Sequence, residues 1–188
     1  KFEDRSYMGF GNGTETYYEY EADRRRLKHI LTSASTGRKL MDNSYTYDAV
    51  NNITNLKSSA PIPETGFKGG RFDYHFEYDD LYRLESANGH FEGAESEHKY
   101  TLDMAYSPTG SILNKDQVHL SRDYDNSAWE TRGKTTYQFD YKYEGSKPHA
   151  PSQIGDNAYT YDGNGNQTGW QRVTDGGGKS QRRDILWD

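Results

Sequence analysis

A short aromatic motif recurs along the chain and constrains its fold more than any other feature. Its clearest copies are Tyr45–Ile53, with the sequence YTYDAVNNI, and Tyr159–Gln167, with the sequence YTYDGNGNQ. The segment Phe76–Leu84, FEYDDLYRL, shares the same frame. Weaker copies begin at Tyr18, Met104 and Tyr141. Self-similarity of this kind predicts a repeat architecture in which each copy is one supersecondary unit.

Each copy predicts a β-hairpin. Alternation of aromatic and polar residues places both rings on one face of a strand. The acidic residue that follows, together with Gly or Asn, is typical of a turn, because Asp accepts hydrogen bonds from the backbone and Gly or Asn tolerates positive φ. An aliphatic residue then begins the return strand, and it is found at Leu27, Ile53, Leu84 and Ile112.

We therefore predict an all-β fold of stacked antiparallel β-hairpins that form a curved sheet. A lone hairpin is marginal in water, whereas an array of hairpins is stable. The aromatic residues that we expect to anchor the repeats are Tyr18, Tyr20, Tyr45, Tyr47, Phe76, Tyr78, Tyr106, Tyr141, Tyr143, Tyr159 and Tyr161. Counted on the second aromatic, their spacing varies from 18 residues (Tyr143 to Tyr161) to 37 (Tyr106 to Tyr143).

The composition indicates a folded chain with a thin, polar core. Hydrophobic residues make up 31% of the 188 residues, a low share that alone would suggest disorder. However, 17 Tyr and 3 Trp with a net charge of only −6 are not typical of disordered chains. The absence of Cys excludes disulfides and thiolate metal sites, and no apolar run is long enough for a membrane helix. The acidic balance argues against nucleic-acid binding.

The motif continues on both sides of each Gly-, Pro- and Ser-rich segment, at 57–70, 145–151 and 174–179, so we expect these to be loops between hairpins. Residues 1–188 are then a single array of about six units, with 186–188 as the start of a truncated seventh. The stretch 23–32 contains helix formers, but its match to the repeat predicts strand–turn–strand. The basic run 24–26, bracketed by Glu21 and Asp23, is expected to be a solvated turn.

The order Tyr-x-Tyr-Asp-x-x-Gly-Asn/Arg-Ile/Leu is the signature of the YD repeat. On the strength of Tyr45–Ile53, Phe76–Leu84 and Tyr159–Asn166, the chain resembles the bacterial Rhs/YD-repeat family. The resemblance extends over nearly all of the chain, from about Gly9 to Asp188. A single unit would be a weak match, but six in series make a specific one.

This resemblance implies a long antiparallel sheet wound into a hollow, cocoon-like spiral that encloses a C-terminal toxic or effector polypeptide. Members include the C components of bacterial insecticidal toxin complexes and Rhs effectors of secretion systems, and animal teneurins carry related repeats. It implies a structural segment rather than an enzyme, secreted or delivered by a bacterial secretion system. The implied partners are the rest of its own shell, the enclosed polypeptide and a delivery-complex subunit. No Asp-Pro-x-Gly-type autoproteolytic core occurs, so no catalytic, cofactor-binding or metal-binding residue is carried over.

Other chemistries are weighed against the repeat. The segment 162–166 imitates the start of a calcium loop, but Gln167 and Val173 stand where Gly and Glu are needed, which favours a turn. The six His show no paired i, i+4 spacing, which argues against a metal or catalytic site. Rows of Tyr near Asn and Asp would suit an extracellular carbohydrate-binding or adhesion module. The aliphatic residue six places after the anchor favours packed rings instead.

Overall fold

Every regular element of the described chain is a β-strand. The computed structural model describes residues 4–125, 128–172 and 181–187, and within these ranges it contains no α-helix that could cross a membrane. The strands are β1 (Tyr7–Gly9), β2 (Glu15–Tyr20), β3 (Leu27–Ser33), β4 (Lys39–Tyr47), β5 (Ile53–Ser58), β6 (Arg71–Tyr78), β7 (Leu84–Glu92), β8 (Ser96–Tyr106), β9 (Ile112–Asp123), β10 (Glu130–Thr131), β11 (Tyr137–Lys142), β12 (Gln153–Ile154), β13 (Asn157–Tyr161), β14 (Gln167–Arg172) and β15 (Arg182–Asp184).

The strands form one open antiparallel sheet in which neighbours in sequence are neighbours in space. The hydrogen-bonded order runs from β1 to β9 and continues with β11 to β15, while β10 pairs with β9 beside this path. The expected return strands begin at the aliphatic residues named from the sequence: Leu27, Ile53, Leu84 and Ile112 are the first residues of β3, β5, β7 and β9. The prediction of an all-β array of antiparallel hairpins is therefore confirmed.

The chain divides into two compact units. The first unit comprises Lys1–Leu102 and Val118–Thr135, and the second comprises Asp103–Gln117 and Thr136–Asp188. The long strands β8 and β9 contribute residues to both.

Across β4 to β7, the sheet of the first unit has one apolar, largely aromatic face and one charged face. Residues opposite each other in an antiparallel pair share a face. The pairings Tyr45 to Leu56, Leu56 to Tyr74 and Tyr74 to Gly89 thus define an apolar row across β4 to β7. The adjacent row lies on the other face and consists of Glu19, His29, Ser44, Lys57, Asp73 and His90. The period-two alternation of the sequence produces this division.

The interior is thin and mostly polar, as the composition predicts. Among the described residues, the buried apolar side chains are Ala60 and Ala87, and the buried polar ones are Thr16, Asp42, Ser58 and Ser121. The rings of the expected anchors are half-buried, whereas those of Tyr7, Tyr17 and Tyr82 are exposed.

Two of the three expected loops lie between strands. The segment 57–70 is a loop from residue 59 onward, because Lys57 and Ser58 complete β5. The segment 145–151 connects β11 to β12, and 174–179 lies outside the described residues. The stretch 23–32 forms a turn that leads into β3, as expected from the repeat.

Close packing of two tyrosine rings over Gly89 predicts that this glycine cannot be replaced. The Tyr74 and Tyr100 rings meet edge to face at 5.8 Å. A Cβ at Gly89 would lie 2.4 Å from Tyr100 Cε1 and 2.4 Å from Tyr74 Cδ1. We expect Gly89→Ala to lower the free energy of unfolding by about 1–3 kcal/mol, because both rings must shift. The measurement is denaturant unfolding.

The matched control is Gly133→Ala, since a Cβ there would meet no atom within 4 Å. Equal stability of the two variants would show that the rings do not close over Gly89.

Candidate functional site

The same turn follows the second aromatic residue of several repeats. The residue after that aromatic donates its N–H to the carbonyl four residues later, as in Asp48 to Asn52 (3.0 Å), Asp79 to Arg83 (2.9 Å), Ser107 to Ser111 (2.8 Å) and Asp162 to Asn166 (2.9 Å). In each of these turns, the residue three places after the first has a positive φ. The values are 80° at Asn51, 63° at Tyr82, 89° at Gly110 and 90° at Gly165. This left-handed position explains the preference for Gly or Asn in the motif.

The turn carboxylate organises the backbone ahead of it. Asp79 Oδ1 accepts the N–H groups of Leu81 and Arg83, both at 2.9 Å, and Asp79 Oδ2 accepts Arg83 Nε at 2.6 Å. The same pattern occurs around Asp48, with Asn52 as the closing side chain at 2.8 Å, and around Asp162, with Asn166 at 3.0 Å. The motif needs Asp followed four residues later by Asn or Arg because these two side chains close the turn together.

The second aromatic residue of each repeat connects its hairpin to the one before. Its side chain crosses the preceding return strand and donates a hydrogen bond to a carbonyl at or near the start of that strand. The pairs are Tyr20 to Arg5 (3.0 Å), Tyr47 to Leu27 (2.7 Å), Tyr78 to Ile53 (2.8 Å), Tyr143 to Ile112 (2.9 Å) and Tyr161 to Pro151 (2.9 Å). The Tyr106 hydroxyl lies 3.6 Å from Met104 Sδ.

A β-bulge precedes this tyrosine in the regular repeats. The register shifts between Glu19 and Tyr20, and equivalent shifts occur at 46–47, 77–78 and 160–161. A bulge adds local twist and changes the direction of the next side chain. The bulge therefore turns the tyrosine side chain toward the preceding strand. Burial raises the pKa of these hydroxyls at Tyr47, Tyr78, Tyr143 and Tyr161, and the hydroxyl stays a protonated donor.

The first aromatic of each repeat lies within the strand ladder. The Cα partners of these residues are Ile30 for Tyr18, Leu56 for Tyr45, Ala87 for Phe76, Ile154 for Tyr141 and Trp170 for Tyr159. All of the sequence-predicted anchors are half-buried, and the polar residue between the two aromatics is exposed. The Tyr143 repeat departs from the others, since Tyr143 follows the end of β11 and the next strand has only two residues.

Trp187 takes the place of a tyrosine at the last described copy. Its indole Nε1 donates to the carbonyl of Gln167 at 2.8 Å, and Gln167 is the first residue of β14. The anchor set read from the sequence did not contain Trp187, although its neighbourhood was matched to the start of a further repeat. The signal that identifies it is an aromatic side chain with a terminal donor, followed by Asp.

The basic run 24–26 is more than a solvated turn. Arg26 lies 4.6 Å over the Tyr47 ring, and its guanidinium donates to the carbonyl of Asp48 at 2.9 Å and to Glu21 Oε2 at 2.6 Å. Arg26 thus ties its own turn to the turn of the next repeat. The sequence correctly predicts that the run 24–26 lies in a turn. The contact of Arg26 with the next repeat could not be predicted, because it depends on which strands pair in three dimensions.

The charged face holds side-chain clusters that the sequence did not reveal. Asp42 is only 8% exposed and accepts from Lys39 Nζ at 2.7 Å and contacts His29 Nε2 at 2.6 Å. The Lys39 ammonium, and then His29, hold the pKa of Asp42 below its ordinary value. These residues come together through strand register, which has no signature in the local sequence.

A second cluster of the charged face is centred on Glu97. Its carboxylate pairs with Arg122 Nη2 at 2.9 Å and with His90 Nε2 at 3.4 Å. The Trp129 ring lies against the Arg122 guanidinium at 4.9 Å and the Lys99 ammonium at 4.4 Å. Across the described ranges, no group of three His, Cys, Asp or Glu side chains is arranged to hold a metal ion. Asp162, the first residue of the calcium-like segment, accepts its hydrogen bonds from the turn.

Stacked hairpins with an Asp-capped turn and a tyrosine that reaches the previous hairpin define an open β-repeat protein. No family model matches the chain. Toxin subunits YenC1 and YenC2 of Yersinia entomophaga are 35% and 37% identical to it over 94 residues, which is 42% of this chain and 9% of each relative. This chain therefore matches about a tenth of the length of these relatives.

Solved structures agree on the fold. A TcdB2–TccC3–Cdc42 crystal structure matches 93% of this chain and 10% of the other, with a TM-score of 0.57 and 18% identity. A Photorhabdus luminescens Tc holotoxin pore carrying a TccC3 variant gives the same values. The repeat motif and the toxin-subunit relatives together support the similarity of this chain to the Rhs/YD-repeat family.

The hydrogen bond and the ring contacts of the second tyrosine predict that Tyr47→Phe and Tyr47→Ala lower the free energy of unfolding by different amounts. Tyr47→Phe removes the donor to the Leu27 carbonyl and should lower the free energy of unfolding by about 1 kcal/mol. Tyr47→Ala also removes the ring and should cost about 3 kcal/mol. Chemical denaturation measures both.

Tyr17 provides the control, because its ring is 45% exposed. Tyr17→Ala should cost less than about 1 kcal/mol. A cost this small for Tyr47→Ala would place the Tyr47 ring on the surface and contradict the anchoring role.

The Asp-capped turns predict a loss of stability in acid. The backbone N–H of Arg83 lowers the pKa of Asp79, and that of Asn166 lowers the pKa of Asp162. Such carboxyls contribute stability that is complete above the pKa of the unfolded chain, about 3.9, and is lost as pH falls through the folded-state value. We expect the unfolding temperature to decrease as the pH is lowered below about 5.

The pH dependence should be shallower in the double variant Asp79→Asn, Asp162→Asn, measured by thermal unfolding monitored by circular dichroism. Asp80→Asn is the control, since it removes an exposed carboxylate next to Asp79. Identical profiles for the double variant and the wild type would assign the acid sensitivity to other groups.

Proposed function

We propose that this chain is a structural segment of a hollow β-shell that encloses a C-terminal toxin or effector polypeptide and assists its delivery. Its partners are the remaining repeats of the same shell, the enclosed polypeptide and a delivery-complex subunit. The protein acts outside the cell that makes it, after secretion. The observation that carries the proposal is the anchor tyrosine, whose hydroxyl joins each hairpin to the one before.

The open edges and the chain-order topology of the sheet support a role as one segment of a longer shell. Its strands follow one another in chain order and the sheet is open, so further hairpins can be added at either edge without changing the existing ones. The similarity to toxin subunits YenC1 and YenC2 favours a toxin complex over another repeat architecture. The tyrosine bonds supply the contact between successive hairpins, and the Asp-capped turns close the individual hairpins.

The division of the sheet into a charged and an apolar face supports a polar lining of the shell cavity. The row that contains His29, Lys57 and Asp73 presents charge, whereas the opposite row presents Leu56 and Tyr74. We propose that the charged face lines the cavity. A lining with few apolar patches would not hold an unfolded or loosely packed polypeptide tightly, so the polypeptide could later leave.

The shell segment acts without chemistry of its own in this proposal. The Asp79 and Asp162 carboxylates are saturated by turn donors, and the anchor hydroxyls are bound to carbonyls. The same engagement argues against carbohydrate recognition by the anchors, because a hydroxyl that donates to the Ile53 carbonyl is not presented to a glycan.

The test uses the complete reading frame that encodes this chain. We expect it to encode further YD repeats on both sides and a C-terminal segment without the motif. We expect that segment to resist limited proteolysis in the intact protein and to become sensitive when Tyr47→Ala and Tyr78→Ala are combined. Mass spectrometry of the fragments locates the protected region.

Tyr17→Ala is the matched control and should leave protection intact. A reading frame without further repeats, or a C-terminal segment cleaved equally in wild type and variant, would contradict encapsulation. Saturable binding on a glycan array that is lost when exposed Tyr7 and Tyr17 are replaced would support an adhesion module instead.

A further inference from the structure

Two histidine rings of neighbouring strands share a hydrogen bond. His98 lies in β8 and His119 in β9, and His98 Nδ1 is 3.0 Å from His119 Nε2. The ring centroids are 5.2 Å apart. These two separations place the facing nitrogens nearly on the line between the ring centres, which is the geometry of a hydrogen bond. One of the two nitrogens therefore carries the proton and the other accepts it.

A threonine hydroxyl decides which nitrogen carries this proton. Thr135 Oγ1 is 2.5 Å from His119 Nδ1 and 3.3 Å from the carbonyl oxygen of Arg132. A hydroxyl has one proton and a carbonyl can only accept, so both contacts are satisfied when Thr135 donates to the carbonyl and accepts an N–H from His119 Nδ1. His119 Nε2 is then unprotonated, and it accepts the N–H of His98 Nδ1.

The other end of this chain of hydrogen bonds is Ser96. Its Oγ is 3.1 Å from His98 Nε2, which has no proton in the neutral ring and accepts from the serine hydroxyl. All donors thus point the same way, from Ser96 through the two histidines to Thr135 and the carbonyl of Arg132. This arrangement requires that both imidazoles are neutral and carry their proton on Nδ1.

The carbonyl at the end of this chain belongs to the segment 130–135, which lies beside β9. Glu130 and Thr131 of β10 pair with β9, and the Arg132 N–H donates to the carbonyl of His119 at 2.8 Å. Arg132 Nε also donates to Ser121 Oγ. Because the β10 ladder has only two residue pairs, the contacts of 132–135 with His119 and Ser121 supply much of the attachment of this segment.

We propose that the His98–His119 pair is a proton-sensitive switch that releases the segment 130–135 from β9 in acid. The pair can take up one proton at His98 Nε2 and keep the bond between the rings, because the Ser96 hydroxyl then turns and accepts. A second proton must go to His119 Nε2, which places two N–H groups and two positive charges against each other. The hydrogen bond is then replaced by repulsion. The switch lies within the first unit and does not require an enclosed polypeptide.

Burial and neighbouring charge both disfavour protonation of the pair. Burial lowers the pKa of His98, and His119 and Arg132 lower it further, while Asp123 opposes them. Burial also lowers the pKa of His119, and Arg132 adds to this effect. The closed pair is therefore a poor acceptor of protons.

Other side chains near the pair offer little compensation for a second positive charge. The Phe91 ring of β7 lies 5.9 Å from the His98 ring, centroid to centroid, and carries no charge. Lys68 and Glu95 line a concavity of about 210 Å³ beside His98. Glu95 Oε1 accepts the N–H of Gly66 at 3.1 Å, and the Lys68 ammonium offsets the charge of this carboxylate.

The lowered pKa values set the direction of the pH effect. The closed pair binds fewer protons than the same histidines in an open segment, where the pKa is about 6.5. The stabilising contribution of the pair is therefore complete above about pH 6.5 and is lost as the pH falls toward the folded-state pKa values. Since the open segment holds one proton more than the closed pair can keep, the ratio of open to closed segment rises by up to about tenfold per pH unit.

Hydrogen–deuterium exchange measures the release of the segment. We expect the amides of 131–135, corrected for the pH dependence of chemical exchange, to lose protection below about pH 6 by up to about tenfold per pH unit. The amides of β6 and β7 should keep their protection over the same range, which separates local release from global unfolding.

Nuclear magnetic resonance of ¹⁵N-labelled histidine in the wild type follows the two rings without any substitution. At about pH 7.5 we expect an Nδ1–H on both His98 and His119. On acidification the two rings should titrate in two linked steps, as coupled groups do. The loss of protection at 131–135 should follow the second step.

His98→Gln is the informative variant, because an amide can present either its N–H or its carbonyl to His119 and keeps the contact in both protonation states. We expect the segment 131–135 to stay protected in acid in this variant. His149→Gln removes an exposed histidine elsewhere and should respond as the wild type does. An Nε2–H on neutral His119, independent titration of the two rings, or the same acid-dependent loss of protection in wild type and folded His98→Gln would overturn the proposal.

Discussion

The hydrogen bond from the second tyrosine of a repeat to a carbonyl of the previous hairpin is the interaction on which the rest of the structure depends. The described chain has little conventional core, with Ala60 and Ala87 as its buried apolar side chains. Stability must therefore come from contacts between successive hairpins. Tyrosine suits this role because its ring covers the neighbouring strand while its hydroxyl satisfies a polar group. Tyr47 and Tyr161 make this contact although the loops around them differ in length.

A repeat held in this way tolerates variable spacing. The anchors are separated by 18 to 37 residues, yet the turn after each conserves the same geometry at Asp48, Asp79 and Asp162. Insertions fall at the opposite ends of the strands, as in the 59–70 connection between β5 and β6. The short range of each contact means that the energy of the array is close to a sum over neighbouring hairpins. A change in one loop therefore leaves the next anchor in place.

The sequence predicts the features that depend on local chemistry. The alternation at Tyr45 and Tyr47, the turn at Asp48 and the return strand from Ile53 are all encoded within nine residues, and the structure has them where the motif places them. Cross-strand features were not predictable. Asp42 meets His29 and Lys39 through register, and His98 meets His119 across 21 residues. Trp187 was missed as an anchor because the motif was defined by tyrosine rather than by a ring that carries a donor.

The Asp-capped turn explains why the motif combines an acid with a residue of left-handed conformation. Positive φ is costly for a side chain such as that of Tyr82, at 63°. The Asp79 carboxylate offsets this cost, because it binds two backbone N–H groups and the Arg83 side chain in the same turn. Where Gly165 occupies the left-handed position, this strain is absent, and Asn166 is the closing side chain. With the carboxylate present, the left-handed position therefore admits Asn51 or Tyr82, whereas the turn at Ser107, where a hydroxyl replaces the carboxylate, has Gly110 there. The aspartate is thus the part of the signature that allows a side chain other than glycine at the left-handed position.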